Sequence, residues 1–142
     1  LRDLPDIAAL ERSVFGEEAY PAVFLRQALD LWPELLLIAG DEGGVVGHAL
    51  AAPATRPGEA WMLAVAVRAE VRGRGIGREL TKALLGALRV RGCERVRLTV
   101  HPDNAVALRL YVGLGFMVER EEEAYFGAGE PRVVMSWRKA EV

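Results

Sequence analysis

Apolar residues recur every three or four positions in several stretches of the chain, which is the spacing of one face of an α-helix. In the longest stretch Ile76, Leu80, Leu84 and Leu88 form a single stripe that ends at Gly92, a residue suited to a helix end. The predicted helices cover residues 3–14 with Asp3 as cap, 21–31 with Pro21 in the first turn, 76–92, and 104–113 with Asp103 or Asn104 as cap.

Other stretches alternate between apolar and polar residues or are continuously apolar over a short length, which is typical of β-strands. The predicted strands are Glu34–Ala39, Val45–Ala52, Glu59–Val67, Arg95–Val100, Phe116–Tyr125 and Arg132–Arg138. The strand–helix–strand order over residues 59–100 predicts a parallel crossover. We therefore predict an α/β fold with a mixed, mainly antiparallel sheet flanked by helices.

Composition narrows the class of protein. The chain has 142 residues, of which 51% are apolar and 27% charged, the balance of a single globular domain covering residues 1–142. Cys93 is the only cysteine, which excludes a disulfide scaffold and a multi-cysteine zinc site. The longest apolar run, residues 60–67, is far shorter than the ~20 residues that span a bilayer. The sequence predicts a cytoplasmic protein with neither a metal nor a membrane partner.

Charge is unevenly distributed along the chain. The net charge of −2 argues against a nucleic-acid partner. Residues 68–97 nevertheless carry nine cations and three carboxylates, a local charge of +6. A basic centre within an acidic protein predicts a compact anionic ligand, such as a phosphate group.

A glycine-rich turn separates a predicted strand from the longest predicted helix. Gly73, Gly75 and Gly77 alternate with basic residues in this turn. Glycines permit positive φ and let a ligand reach the backbone, and a helix N-terminus offers unpaired N–H groups, so the turn predicts a pyrophosphate site. The alternative is a purely structural tight turn. Neither the dinucleotide fingerprint nor the P-loop motif is present, which disfavours a nucleotide-binding protein.

Two motifs resemble the GNAT superfamily of N-acetyltransferases. Its (Q/R)-x-x-G-x-(G/A) signature matches residues 72–77, and its N-x-x-A-x-x-L-Y-x-x-L-G-F segment matches residues 104–116. The nearest pattern is that of the ribosomal-protein N-terminal acetyltransferases. The resemblance covers the chain from Asp3 and lacks the usual first strand, so we expect that strand to be missing or truncated.

The resemblance implies direct transfer of an acetyl group from acetyl-CoA, as cosubstrate, to an amine. It also implies a splayed parallel strand pair that binds the cofactor. Carried onto this chain, the backbone of Val65, Ala66 and Val67 would bind pantetheine, and Asn104 would lie near the thioester. The pyrophosphate would be held by Arg72, Gly73, Arg74, Gly75, Ile76, Gly77 and Arg78.

The catalytic groups are less certain from sequence than the cofactor site. Relatives use a tyrosine at Tyr111 to protonate the leaving thiolate, and a phenol stays protonated at neutral pH; the alternative for Tyr111 is core packing. The subgroup carries a basic glutamate where this chain has Thr99. Glu59, which starts a predicted strand and shares its parity with Val65, is the predicted substitute. Weaker candidates are His48 and His101, whereas Cys93 is predicted to be inert.

The acceptor amine is left open by the sequence. Its recognition is expected from residues 15–20 and 125–130, where peptide-specific relatives carry a comparable tyrosine pair. A protein N-terminus, a lysine, a polyamine and an aminoglycoside remain possible acceptors, and both monomer and homodimer are open. The Thr99 departure keeps a second hypothesis, that of a non-catalytic acyl-CoA-binding module.

Overall fold

The computed structural model describes residues 2–139 as a six-stranded sheet with helices on both faces. The helices are α1 (Leu4–Phe15), α2 (Ala22–Leu31), α3 (Ile76–Val90) and α4 (Ala105–Gly113). The strands are β1 (Leu36–Asp41), β2 (Gly44–Pro53), β3 (Glu59–Val67), β4 (Arg95–Val100), β5 (Met117–Glu122) and β6 (Arg132–Arg138).

The strands lie in the order β1-β2-β3-β4-β6-β5. The pair β3–β4 is parallel, because α3 connects these two strands, and the other neighbouring pairs are antiparallel. This confirms the predicted fold class, a mixed and mainly antiparallel sheet flanked by helices.

Strand β2 shows how the helices divide between the two faces of the sheet. Ala49 and Ala51 pack into a core with α3, whereas Leu50 between them packs into a core with α1 and α2. Alternate residues of a strand point to opposite faces, so α3 covers one face and α1 and α2 cover the other. Helix α4 contributes Tyr111 to the α3 side.

Two predicted strands have other boundaries in the structure. The first begins at Leu36 rather than Glu34, because residues 33–35 form a 3₁₀ turn in which the N–H of Leu35 donates to the carbonyl of Trp32 over 2.9 Å. Strand β5 ends at Glu122 rather than Tyr125. Residues 123–131 form turns there, with Gly127 at φ 118° and Gly129 at φ 75°.

The helix starts show which predicted caps form. Asp3 occupies the cap position of α1, but its side chain makes no capping hydrogen bond, and its backbone carbonyl accepts from Ile7 instead. Asn104 does cap α4, since its Oδ1 accepts from the N–H of Ala107 over 3.1 Å. The Asn104 alternative of the predicted cap is therefore confirmed.

Candidate active site

Strands β3 and β4 separate part-way along their length. They pair at Glu59–Arg95, Ala60–Val96 and Trp61–Arg97, and no further. On its other edge β3 stays paired with β2 up to Val67. The backbone groups of β3 that point toward β4 after Trp61 therefore have no strand partner and need another one. The predicted splay is present, and it leaves a row of backbone donors and acceptors open.

Residues 65–67 lie on the open part of β3. Val65 packs against the α3-side core, and Ala66 is fully buried between the sheet and α1. Their side chains therefore belong to the core while their β4-facing backbone groups stay free. This arrangement is compatible with the predicted contact to an extended amide-containing chain such as pantetheine.

The glycine turn lies at the N-terminus of α3. Gly73 and Gly75 adopt φ of 82° and 80°, and a Cβ at either position would meet no atom within 4 Å. The backbone is thus exposed as well as left-handed at both glycines. The first-turn N–H groups of α3 have no partner within the helix, and the helix dipole adds positive potential there. Both properties favour an anion.

The cations of the turn surround this helix start. Arg72 is held in place, because its Nε donates to the carbonyl of Val67 over 3.2 Å and so ties the turn to the end of β3. Arg74 and Arg78 are exposed, and within residues 2–139 neither forms an ion pair with a carboxylate. Gly77 brings α3 close to β3, since a Cβ there would lie 3.6 Å from Val67.

Helix α4 presents the second predicted pair. The carboxamide oxygen of Asn104 is used by the helix cap, which leaves its NH₂ group as a free donor on an exposed residue. Tyr111 follows two turns later, and its ring meets the edge of Phe116 with 5.6 Å between centroids. Burial raises the pKa of Tyr111 to about 12. The phenol thus keeps its proton at neutral pH and also packs in the core.

Comparison with known proteins decides the family. The profile of the acetyltransferase (GNAT) family matches residues 2–116. This chain belongs to that family. It is therefore an acetyltransferase, and the predicted resemblance is confirmed.

Relatives support the subgroup as well. The chain is 29% identical to N-alpha-acetyltransferase 30 of Schizosaccharomyces pombe over 116 residues, 80% of this chain and 77% of that protein. The ribosomal-protein-S18-alanine N-acetyltransferase from Escherichia coli has a TM-score of 0.81 at 23% identity, covering 99% of this chain and 90% of its own. Arabidopsis thaliana Naa50, in complex with the bisubstrate analogue CoA-Ac-MVNAL, also has a TM-score of 0.81, at 21% identity and 99% and 93% coverage. These two structures share the fold.

A β-bulge in this GNAT protein changes the geometry assumed for Glu59. Leu50 pairs with Ala64 and Ala51 with Met62, so Leu63 is the extra residue of β3. Met62 and Val65 consequently pack on the α3 side, and Leu63 packs toward α1 and α2. The prediction that Glu59 shares a face with Val65 is wrong, because unbroken alternation does not hold across the bulge.

Glu59 is also engaged by other side chains. It accepts a hydrogen bond from Nη1 of Arg97, whose Nε donates to Glu119 over 3.0 Å. The hydrogen bond from Arg97 lowers the pKa of Glu59. A carboxylate held by a guanidinium is a weaker base, so this pairing counts against the predicted role, which stays a prediction.

The remaining base candidates lie in unlike places. His48 is fully buried and lies 2.9 Å from a carboxylate oxygen of Glu11, between β2 and α1. His101 follows β4 and is 43% exposed, and its Nδ1 accepts from the N–H of Asp103. Thr99 is half-buried on β4. Burial raises the pKa of the Cys93 thiol, in agreement with its predicted inertness.

The structure reveals two charged residues that the sequence reasoning did not select. Glu11 is 1% exposed, and Arg132 has a side chain that is 7% exposed. Glu11 lies on the apolar stripe of its helix, and a carboxylate at a core position is the signal that could have revealed it. Arg132 gives no such signal, because the strand around it does not show which residues of the distant N-terminal half lie opposite.

Within residues 2–139, no helix has the length and apolarity that crossing a bilayer requires. The same part of the chain contains no group of three or more His, Cys, Asp and Glu side chains placed to hold a metal ion.

Proposed function

We propose that this protein transfers the acetyl group of acetyl-CoA to a primary amine by direct attack, with acetyl-CoA bound in the splay between β3 and β4. The observation that carries the proposal is the unpaired edge of β3 beyond Trp61, which leads to the glycine turn at the start of α3. An extended chain with amides and a pyrophosphate end fits both features. The CoA-bound relative from Arabidopsis supports this reading.

Each part of the cosubstrate then has a partner in the chain. The backbone of Val65, Ala66 and Val67 pairs with the pantetheine amides, and the N–H groups of residues 73–78 hold the pyrophosphate. Arg72, Arg74 and Arg78 add positive charge around it. Backbone N–H groups of β3 polarise the thioester carbonyl, an effect worth about 3–4 kcal/mol per donor in other acyl-transfer enzymes. The free amide of Asn104 lies near this end.

Tyr111 supplies the proton that the leaving sulfur needs. The amine nitrogen forms the new C–N bond, the C–S bond breaks, and the phenol donates its proton to the thiolate. Burial keeps the phenol protonated until then. Since no covalent acyl-enzyme is formed, Cys93 takes no part.

We infer that the acceptor is the N-terminal amine of a peptide or protein. The relationship to N-alpha-acetyltransferase 30 favours this class. In the chain itself, the segments 16–21 and 123–131 carry Tyr20 and Tyr125, and each lies close enough to affect the other's environment, since Tyr125 is among the groups that raise the pKa of Tyr20.

A second candidate function is a non-catalytic acyl-CoA-binding module. The pairing of Glu59 with Arg97, together with Thr99 on β4, favours it, because neither residue is a strong base. Both functions require acetyl-CoA binding, so only turnover separates them.

A panel of acceptors tests the proposal. Thiol release from acetyl-CoA is measured with a short peptide carrying a free N-terminus, the same peptide with a blocked N-terminus and one lysine, spermidine, and an aminoglycoside. We expect release with the free N-terminus. Binding of acetyl-CoA by calorimetry without release on any amine would favour the binding module. Stronger thermal stabilisation by ATP than by acetyl-CoA would contradict both.

A further inference from the structure

A single buried guanidinium joins two segments from opposite ends of the chain. Nη2 of Arg132, at the start of β6, donates to both carboxylate oxygens of Glu18, over 3.0 and 3.1 Å. Its Nη1 donates to the carbonyl of Pro131 over 2.6 Å and to Glu130 over 3.4 Å. The guanidinium carbon lies 4.9 Å from the centroid of the Phe126 ring. Arg132 therefore binds the 16–21 segment and the 123–131 segment at once.

Burial makes this contact different from an ordinary surface ion pair. The Arg132 side chain is 7% exposed, whereas that of Glu18 is 59% exposed. Loss of the Glu18 charge would leave a buried cation with one weaker carboxylate partner, Glu130, which is itself 45% exposed. A buried charge without its partner is destabilising, so the guanidinium favours the position in which Glu18 stays against it.

The 16–21 segment is also fixed at its other end. The second carboxylate oxygen of Glu11 accepts from the backbone N–H of Tyr20 over 2.9 Å, and the Tyr20 ring stacks on Phe24 at 4.8 Å. The segment is thus held at Glu18 by Arg132 and at Tyr20 by Glu11. With both attachments made, the chain between α1 and α2 has a defined distance from the turns that carry Tyr125.

We propose that Arg132 is a positioning residue that ties the 16–21 segment to the 123–131 segment and so sets the width of the acceptor entrance between them. The role at the acceptor rests on the proposed function. The tie itself does not, because it follows from contacts within the protein.

Neighbouring glutamates provide a matched pair of variants. Glu18→Gln removes the charge that faces Arg132, and because Glu18 is exposed the variant should fold. Glu17→Gln removes the same charge from the same segment, but within residues 2–139 Glu17 forms no ion pair with a cation. A general attraction between acidic residues and a cationic amine would be weakened equally in both variants.

Two measurements are made on wild type and both variants. Hydrogen–deuterium exchange reports the tie without any acceptor, and we expect Glu18→Gln to exchange about threefold faster or more in both segments, with Glu17→Gln unchanged. Steady-state kinetics use the short peptide with a free N-terminus. We expect Glu18→Gln to raise its KM about 5- to 10-fold, with kcat and the KM of acetyl-CoA within about twofold.

Several results would overturn the proposal. Exchange that is alike in the two variants would show that Arg132 ties nothing, and equal rises of the peptide KM would assign the effect to general charge. Faster exchange with an unchanged peptide KM would remove the acceptor role. Wild-type protein that acetylates no amine contradicts the proposed function, and the acceptor role with it, while the exchange data still report the tie.

Discussion

Glu11 carries the largest stability prediction, because it lies where two hydrogen-bond donors converge in the interior. Its Oε1 lies 2.9 Å from Nε2 of His48, and its Oε2 lies 2.9 Å from the backbone N of Tyr20. Glu11 and His48 are 1% and 0% exposed. Nδ1 of His48 is buried without a hydrogen-bond partner in the described chain. This favours the tautomer in which Nε2 carries the proton and donates it to Glu11.

Glu11→Ala removes both acceptors at once. Each buried donor left unpaired costs about 1–3 kcal/mol, so we expect the free energy of unfolding to fall by about 3 kcal/mol or more. Glu11→Gln keeps one acceptor oxygen and places an NH₂ group against the other donor. It should therefore lie between Ala and wild type.

Urea unfolding followed by circular dichroism measures the effect. For a slope of about 1–3 kcal/mol per molar urea, a loss of 3 kcal/mol lowers the midpoint by about 1–3 M. Glu17→Ala is the control, since an exposed carboxylate without a partner should change stability by less than about 0.5 kcal/mol. A Glu11→Ala protein as stable as that control would refute the assignment of both hydrogen bonds.

Three further changes test the site. Tyr111→Phe keeps the ring against Phe116 but removes the proton donor, so kcat and kcat/KM should fall together about 10²-fold while acetyl-CoA affinity by calorimetry is unchanged; activity within twofold of wild type would assign Tyr111 to packing. Gly75→Val places a side chain at φ 80° over the open backbone, and should weaken acetyl-CoA binding more than Arg74→Ala, whose exposed and salt-screened contact is worth about 1 kcal/mol; the reverse order in folded variants would contradict the account of the turn. Arg97 lowers the pKa of Glu59 and Glu119 below the ordinary 4.5, so its ion pairs stabilise the fold above that pH and lose this effect as the pH falls through the lower folded values; Arg97→Met should therefore show a flatter decline of unfolding free energy below about pH 4.5, and an unchanged slope would count against the pairing.

Local pattern was sufficient for much of the fold. Strands β3, β4 and β6 begin and end where alternation and breakers predict, and α3 begins directly after its glycine turn. The cofactor side of the site is built from these contiguous stretches. That is why a turn, a strand and a helix start could be placed from sequence.

The acceptor side could not be predicted in the same way. The bulge at Leu63 reverses the parity that linked Glu59 to Val65, and nothing in the residues around it announces an extra position. The Arg132–Glu18 and Glu11–His48 contacts join residues 114 and 37 positions apart. Such partners are set by the order of strands in the sheet, which local periodicity does not contain.

The fate of the acceptor's proton follows from where the candidate bases lie. Glu59 holds Arg97, His48 is enclosed with Glu11, and His101 lies beyond the end of β4. None of these three is a free base at the splay, so we expect the amine to lose its proton to water before it attacks. The rate should then follow the acceptor's own ionisation: with a peptide N-terminus, kcat/KM should rise with pH and level off near its ordinary pKa of about 7.7–8.0. Replacing the peptide with an acceptor of higher pKa should move the plateau upward by the same amount. A plateau that stays at one pH for both acceptors would show instead that a group of the protein takes the proton, and would return Glu59 or His101 to that role.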